Sequence, residues 1–131
     1  MNEVVEPEEN IVSLLHKAKN DVDVPVPFER DIFLFATYVA GTSHITGMEE
    51  LAGELKPKEH LRFYREPDNH YDPQAIKITT DAGTKIGYVP KADNAVFSRL
   101  MDAGKLLFGE IQKIDIKRNY AQISIHIYLH E

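Results

Sequence analysis

The chain has no cysteine, so neither a disulfide framework nor a thiolate metal site can form. No apolar run approaches the roughly 18 residues of a membrane-spanning helix. Met1 opens onto Glu3, Glu6, Glu8 and Glu9 rather than the basic-then-apolar order of a secretion signal. The expected compartment is the cytoplasm, with no membrane partner. Gly-x-Ser-x-Gly and the phosphate-cradling Gly-x-x-x-x-Gly-Lys are both missing, which removes a nucleophile elbow and an ATPase motor. Ser43 and His44 are adjacent, and neighbours on an extended segment point to opposite faces, so they do not form a nucleophile–base pair. Of the six histidines, His60 and His70 could join Asp68 and Asp72 around one cation, but polar loop groups of this kind are more often simply solvated. Hence no catalytic residue, metal ligand or cofactor is assigned, and the chain is expected not to be an enzyme. Internal repeats and low-complexity tracts are also lacking.

What remains is one domain's length, 131 residues with 43% hydrophobic and 27% charged, enough to bury a core. Net charge is −6, unfavourable for a phosphate partner, yet its distribution is uneven. Residues 1–31 hold eight acids against three bases, while residues 32–131 hold thirteen against twelve. The acidity therefore belongs to the arm, and a near-neutral body can still carry a local basic face. In the arm, Ile11, Leu14, Leu15 and Ala18 recur at helical spacing behind Glu8 and Glu9, and Pro25 and Pro27 stiffen an extended connector. The division is an acidic arm with a short amphipathic helix and proline linker at 1–31, and a body at 32–131. So short a helix is marginal alone, and it is expected to dock on the body or to pair with a second copy in a homodimer.

Periodicity predicts the body's elements. Ile32–Ala40 reads as a central strand, Met48–Leu55 as one helical turn or a loop, and Leu61–Tyr64 with Ala75–Thr80 as antiparallel partners. Asp81-Ala82-Gly83 turns into Thr84–Val89, and Lys91–Ala103 carries Ala95, Val96, Leu100 and Ala103 at helical spacing before Gly104. Phe108–Ile116 and Ala121–Leu129 follow, with Ile123, Ile125, Ile127 and Leu129 on one face. A mainly β chain, β-rich α+β with one or two helices, is expected to curl into a small antiparallel barrel that removes its edges.

Between two of those strands lies the most distinctive stretch, Arg65-Glu-Pro-Asp-Asn-His-Tyr-Asp-Pro-Gln-Ala-Ile-Lys-Ile78. Pro67 and Pro73 fix their own φ and push Glu66 and Asp72 toward extended geometry, so Asp68 to Asp72 form a stiff-ended display of carboxylates, amide, imidazole and phenol. Such side chains commonly cap their own backbone; a loop held this way can also present them to a ligand. Together with Val39-Ala-Gly-Thr42 before it and Ile86-Gly-Tyr-Val-Pro90 after it, this motif resembles the HIRAN domain over about residue 32 to the C-terminus.

The resemblance implies an OB-like barrel in a stand-alone, bacterial-type version, and recognition of single-stranded DNA at a free 3′ end. Asp72 would accept from a sugar hydroxyl with Asn69 as a further polar partner, and Tyr71 would stack a base. Thr42, Ser43 and His44 lie in the glycine-bounded Gly41–Gly47 segment, whose amides could approach phosphates. Lys77 and Arg118 are candidate cations, and Tyr120 is a second stacking aromatic. The family's eukaryotic fork-remodelling members carry an Arg-Tyr pair where Ser43 and His44 stand, and one has histidine in place of Tyr88; losing the guanidinium removes a phosphate clamp. Any helicase or nuclease partner would be a separate chain, serving DNA repair, replication or the processing of damaged or foreign DNA. The alternative is a protein-interaction adaptor or homodimer that binds no DNA.

Overall fold

The computed structural model describes residues 30–131, and the arm's amphipathic helix and proline linker lie outside them. Six strands follow in order with two helices: β1 (Asp31–Tyr38), a 3₁₀ turn (Thr42–His44), α1 (Met48–Glu54), β2 (His60–Arg65), β3 (Ile76–Thr80), β4 (Lys85–Tyr88), α2 (Lys91–Asp102), β5 (Leu106–Ile116) and β6 (Ala121–His130). The segment that left turn and helix open, Met48–Leu55, is helical for seven residues.

All pairings are antiparallel, in the order β1-β6-β5-β2-β3-β4. The mainly β, OB-like expectation holds, but the barrel does not close as a continuous ladder. The edge strands β1 and β4 meet beyond the end of β1 in one bridge, where Ala40 N–H donates to Tyr88 O at 2.7 Å and Tyr88 N–H to Ala40 O at 2.9 Å. Strand β4 is only four residues long and ends before Pro90, which has no N–H to extend the pairing.

Alternation in β6 puts Ile123, Ile125 and Ile127 at 0% exposure, facing Leu61, Ile76, Ile78, Ile86 and Ile111 in one core. Helices α1 and α2 cover it with Met48, Ala52 and Phe97. Two expectations are corrected. Strand β1 is an edge strand rather than a central one, and its Phe33 is 52% exposed, settled instead by ring contacts at 4.8 Å with His126 and 5.9 Å with Tyr128. In α2 the buried stripe is Asn94, Phe97 and Ser98, while Val96 faces outward, because Asn94 turns inward to bond a loop carboxylate. Gly104, at φ 92°, stops the helix as its sequence indicates, donating to Met101 O at 2.9 Å.

The bridge requires a glycine. A Cβ on Gly87 would lie 2.4 Å from Ala40 O and 2.5 Å from Val39 Cγ1. Gly87→Ala is expected to destabilise the fold by about 3 kcal/mol, at the upper end of overpacking costs. Gly83→Ala, at a turn where a Cβ meets nothing within 4 Å, should cost only about 1 kcal/mol of left-handed strain. Urea denaturation of both variants checks the difference.

Candidate nucleic-acid interface

The loop between β2 and β3 satisfies its own backbone and so becomes rigid. Asn69 Oδ1 accepts from the amides of Tyr71 and Asp72 at 2.8 and 3.0 Å, and Asp72 Oδ1 accepts from the Gln74 amide at 2.9 Å. Arg65, whose side chain is only 17% exposed, pins the loop from beneath. Its guanidinium donates to Pro73 O and Ala75 O at 3.1 and 3.0 Å and bidentately to Asp102 at 2.9 and 3.2 Å. Asn94, 3% exposed, reaches out of α2 to donate to Asp72 Oδ2 at 2.7 Å.

Self-capping and display thus coexist. Asn69 spends its oxygen on the loop and its Nδ2 on Glu66 at 3.0 Å, so it acts as a staple. Asp72 has one donor on each oxygen and keeps lone pairs for a further hydroxyl. The Asn94 amide, then the Gln74 N–H, hold the Asp72 carboxyl below its ordinary value of 3.8. Tyr71 projects with 92% exposure, an unoccupied π-face at the loop's tip.

Tyr71 and Asp72 border a hollow of about 470 Å³, lined also by His44, Asn69, Tyr88 and Lys91. Tyr88 enters from β4 and donates its hydroxyl to Glu66 Oε1 at 2.7 Å, while Lys85 Nζ lies 3.0 Å from the same hydroxyl. Burial pushes the Glu66 carboxyl up, but Tyr88, Asn69, Lys85 and Lys77 outweigh it and hold the group below its ordinary value. A second hollow of about 610 Å³ shares Ala40 and Gly41 with the first and is walled by Tyr38, Ser43 and Tyr120.

Five of the sequence candidates therefore meet at the first hollow: His44, Asn69, Tyr71, Asp72 and Tyr88. Thr42, Ser43 and Tyr120 border the second, although the Thr42 hydroxyl is buried and donates to Ala121 O at 2.7 Å, a structural bond. The amides of His44 and Ile45 close the turn onto Gly41 O and Thr42 O and are spent. Lys77 lies apart from both hollows, its Nζ 5.4 Å from the centre of the Tyr64 ring, and the exposed Arg118 sits on the β5–β6 turn. His126 and His130 have the i, i+4 spacing that pairs metal ligands on a helix; on strand β6 the rise of about 3.4 Å per residue separates them by about 13 Å. Among the described residues no group of three His, Asp or Glu could hold a metal ion. Sequence reasoning missed Glu66, Lys91, Asn94 and Tyr38. Only Asn94 left a sequence signal, a polar residue three positions before Phe97 on the stripe that packs inward.

The HIRAN domain family model matches residues 32–131. Helicase-like transcription factor is 34% identical over 74 residues in Oryctolagus cuniculus and 30% in Mus musculus, covering 56% of this chain and 7% of each relative. The chain thus corresponds to a small part of those proteins. A crystal structure of a protein from Lactobacillus plantarum aligns with TM-score 0.73 at 23% identity, over 79% of this chain and 98% of that one. The crystal structure of the HIRAN domain of human HLTF gives 0.58 at 19%, over 76% and 78%. The NMR structure of the HLTF HIRAN domain in its DNA-bound conformation gives 0.55 at 18%, over 87% and 84%. At those identities the structures establish a shared fold, and the family match over residues 32–131 makes the chain a member of the HIRAN domain family.

Proposed function

We propose that this chain binds single-stranded DNA and receives the terminal nucleotide of a 3′ end in the Tyr71–Asp72 hollow. The observation that supports it most is the convergence of an exposed phenol, an ionised carboxylate and the Tyr88 ring on one cavity. The DNA-bound conformation named for the HLTF domain supports the same reading. Tyr71 stacks the terminal base, Asp72 accepts from the 3′-hydroxyl, and Lys91 supplies a nearby cation. The second hollow, with Tyr38 and Tyr120, gives the flanking nucleotide an aromatic floor. His44, Ser43 and Arg118 are peripheral contacts in this reading, and Asn69 and Thr42 act by holding the loop and turn. The setting is DNA repair, replication or the processing of damaged or foreign DNA, alongside a helicase or nuclease.

A 3′-phosphate would set its own charge against the Asp72 carboxylate, so discrimination follows from electrostatics. Fluorescence anisotropy with short strands ending in 3′-hydroxyl or 3′-phosphate should show tighter binding of the hydroxyl end. Tyr71→Ala should weaken binding by about 1–3 kcal/mol, the worth of one stacked base. Asp72→Asn should erase the end preference at a cost of about 1.5–3 kcal/mol, that of a hydrogen bond to a charged group. Negligible, equal binding of both ends would replace this reading with that of a protein-interaction adaptor.

The carboxylate also links function to stability. Because the folded protein holds Asp72 below its ordinary 3.8, its ionised form stabilises the fold above that value. That contribution is lost as pH falls through the depressed value. Wild type should therefore melt above Asp72→Asn at neutral pH, and the gap should close in strong acid; a series of thermal melts against pH reads this out.

A further inference from the structure

Asn94 occupies a core position of α2 although its side chain is polar. It shares the helix's buried stripe with Phe97 and Ser98, is 3% exposed, and is fixed in the first turn by its backbone N–H, which donates to Pro90 O at 3.1 Å. A buried carboxamide destabilises a fold unless it is hydrogen-bonded, and an apolar side chain would serve the core better. The Asn94 Nδ2 instead crosses to the loop and donates to Asp72 Oδ2 at 2.7 Å, while Oδ1 accepts from the Gln74 N–H at 2.9 Å.

Two donors on two different oxygens fix the plane of a carboxylate. The torsion that turns this plane is broad, so the Gln74 amide alone would leave Oδ2 able to swing toward the nearby charges of Lys91 and Arg65. The buried amide removes that freedom, and it is also the largest of the influences that keep the carboxyl ionised. We infer that Asn94 is a positioning residue for end recognition, acting through Asp72 by setting which lone pair faces the 3′-hydroxyl. The inference rests on the end-binding reading above. It adds that selectivity for the end is built into helix α2 as well as into the loop.

Anisotropy with two otherwise identical single strands, one ending in a 3′-hydroxyl and one in a dideoxy nucleotide, tests it. Wild type should prefer the hydroxyl end by about tenfold or more, the worth of a hydrogen bond to a charged group. Asn94→Ala should reduce that preference to about twofold, while affinity for the dideoxy end, supplied by stacking on Tyr71, stays within about twofold of wild type. Asn94→Asp offers a donor only when protonated, and two carboxyls this close share one proton. Its hydroxyl preference should therefore be absent at about pH 8 and return to within about twofold of wild type at about pH 5.5. The titratable groups around Asp72, His44, Tyr88 and Lys91 at the hollow, His70 in the loop and Arg65 beneath it, are common to all these proteins, so the change is read against wild type over the same range. A merely structural role for Asn94 predicts a lower melting temperature with the hydroxyl preference intact, or equal loss on both ends. Either result would overturn the inference while leaving end binding in place. So would an Asn94→Asp preference that does not change with pH, a comparison of one protein with itself that stands even if Asn94→Ala fails to fold. Wild type that binds both ends equally would overturn the end-binding reading and this inference with it.

Discussion

Two hydrogen bonds between Ala40 and Tyr88 determine where the two hollows can be. They are the place where the two edges of a six-stranded sheet come together, and they need a residue without a side chain at position 87. Without that approach, the Gly41–His44 turn would sit at one edge of the sheet and Tyr88 at the other, with the Tyr71–Asp72 loop beside it between β2 and β3. With it, the backbone of one edge forms the floor of a hollow whose walls come from the other. An OB-like sheet that meets itself at one point rather than along a full ladder leaves the space beside that point open.

The loop that borders the space is rigid because its polar groups are spent on one another. Asn69 and Asp72 absorb three backbone amides, and Arg65 takes two carbonyls, so little conformational entropy remains to be lost when a ligand arrives. Capping and recognition are usually alternatives for a polar turn. Here a carboxylate has enough lone pairs to do both, while the carboxamide beside it does not.

Much of this was legible in the chain. The alternating isoleucines of β6, the turn at Gly83, the helix stop at Gly104 and the proline-braced loop all follow from local chemistry, and five of the residues singled out beside the family motif line one hollow. What escaped was tertiary. Strand β1 reads as central because it is apolar, yet Phe33 is placed against His126 and Tyr128 on the sheet surface and Phe35 against Phe97 of α2, pairings that no pattern within β1 encodes. The α2 stripe departs from its sequence pattern because Asn94 and Ser98 look solvent-facing, and only the Asp72 carboxylate, 22 residues earlier, gives Asn94 a reason to turn inward. Glu66 went unnoticed for the same reason, since its partner Tyr88 is equally remote.

Helix α2 is fastened near both of its ends, by Asn94 to Asp72 of the loop and by Asp102 to Arg65 at the end of β2, which in turn holds the loop's carbonyls. Neither element can shift without straining the other's charged bonds. An occupant seated on Asp72 would thus steady a whole helix of which only the first turn borders the hollow, and the helix's amide protons would exchange with solvent more slowly while it stayed.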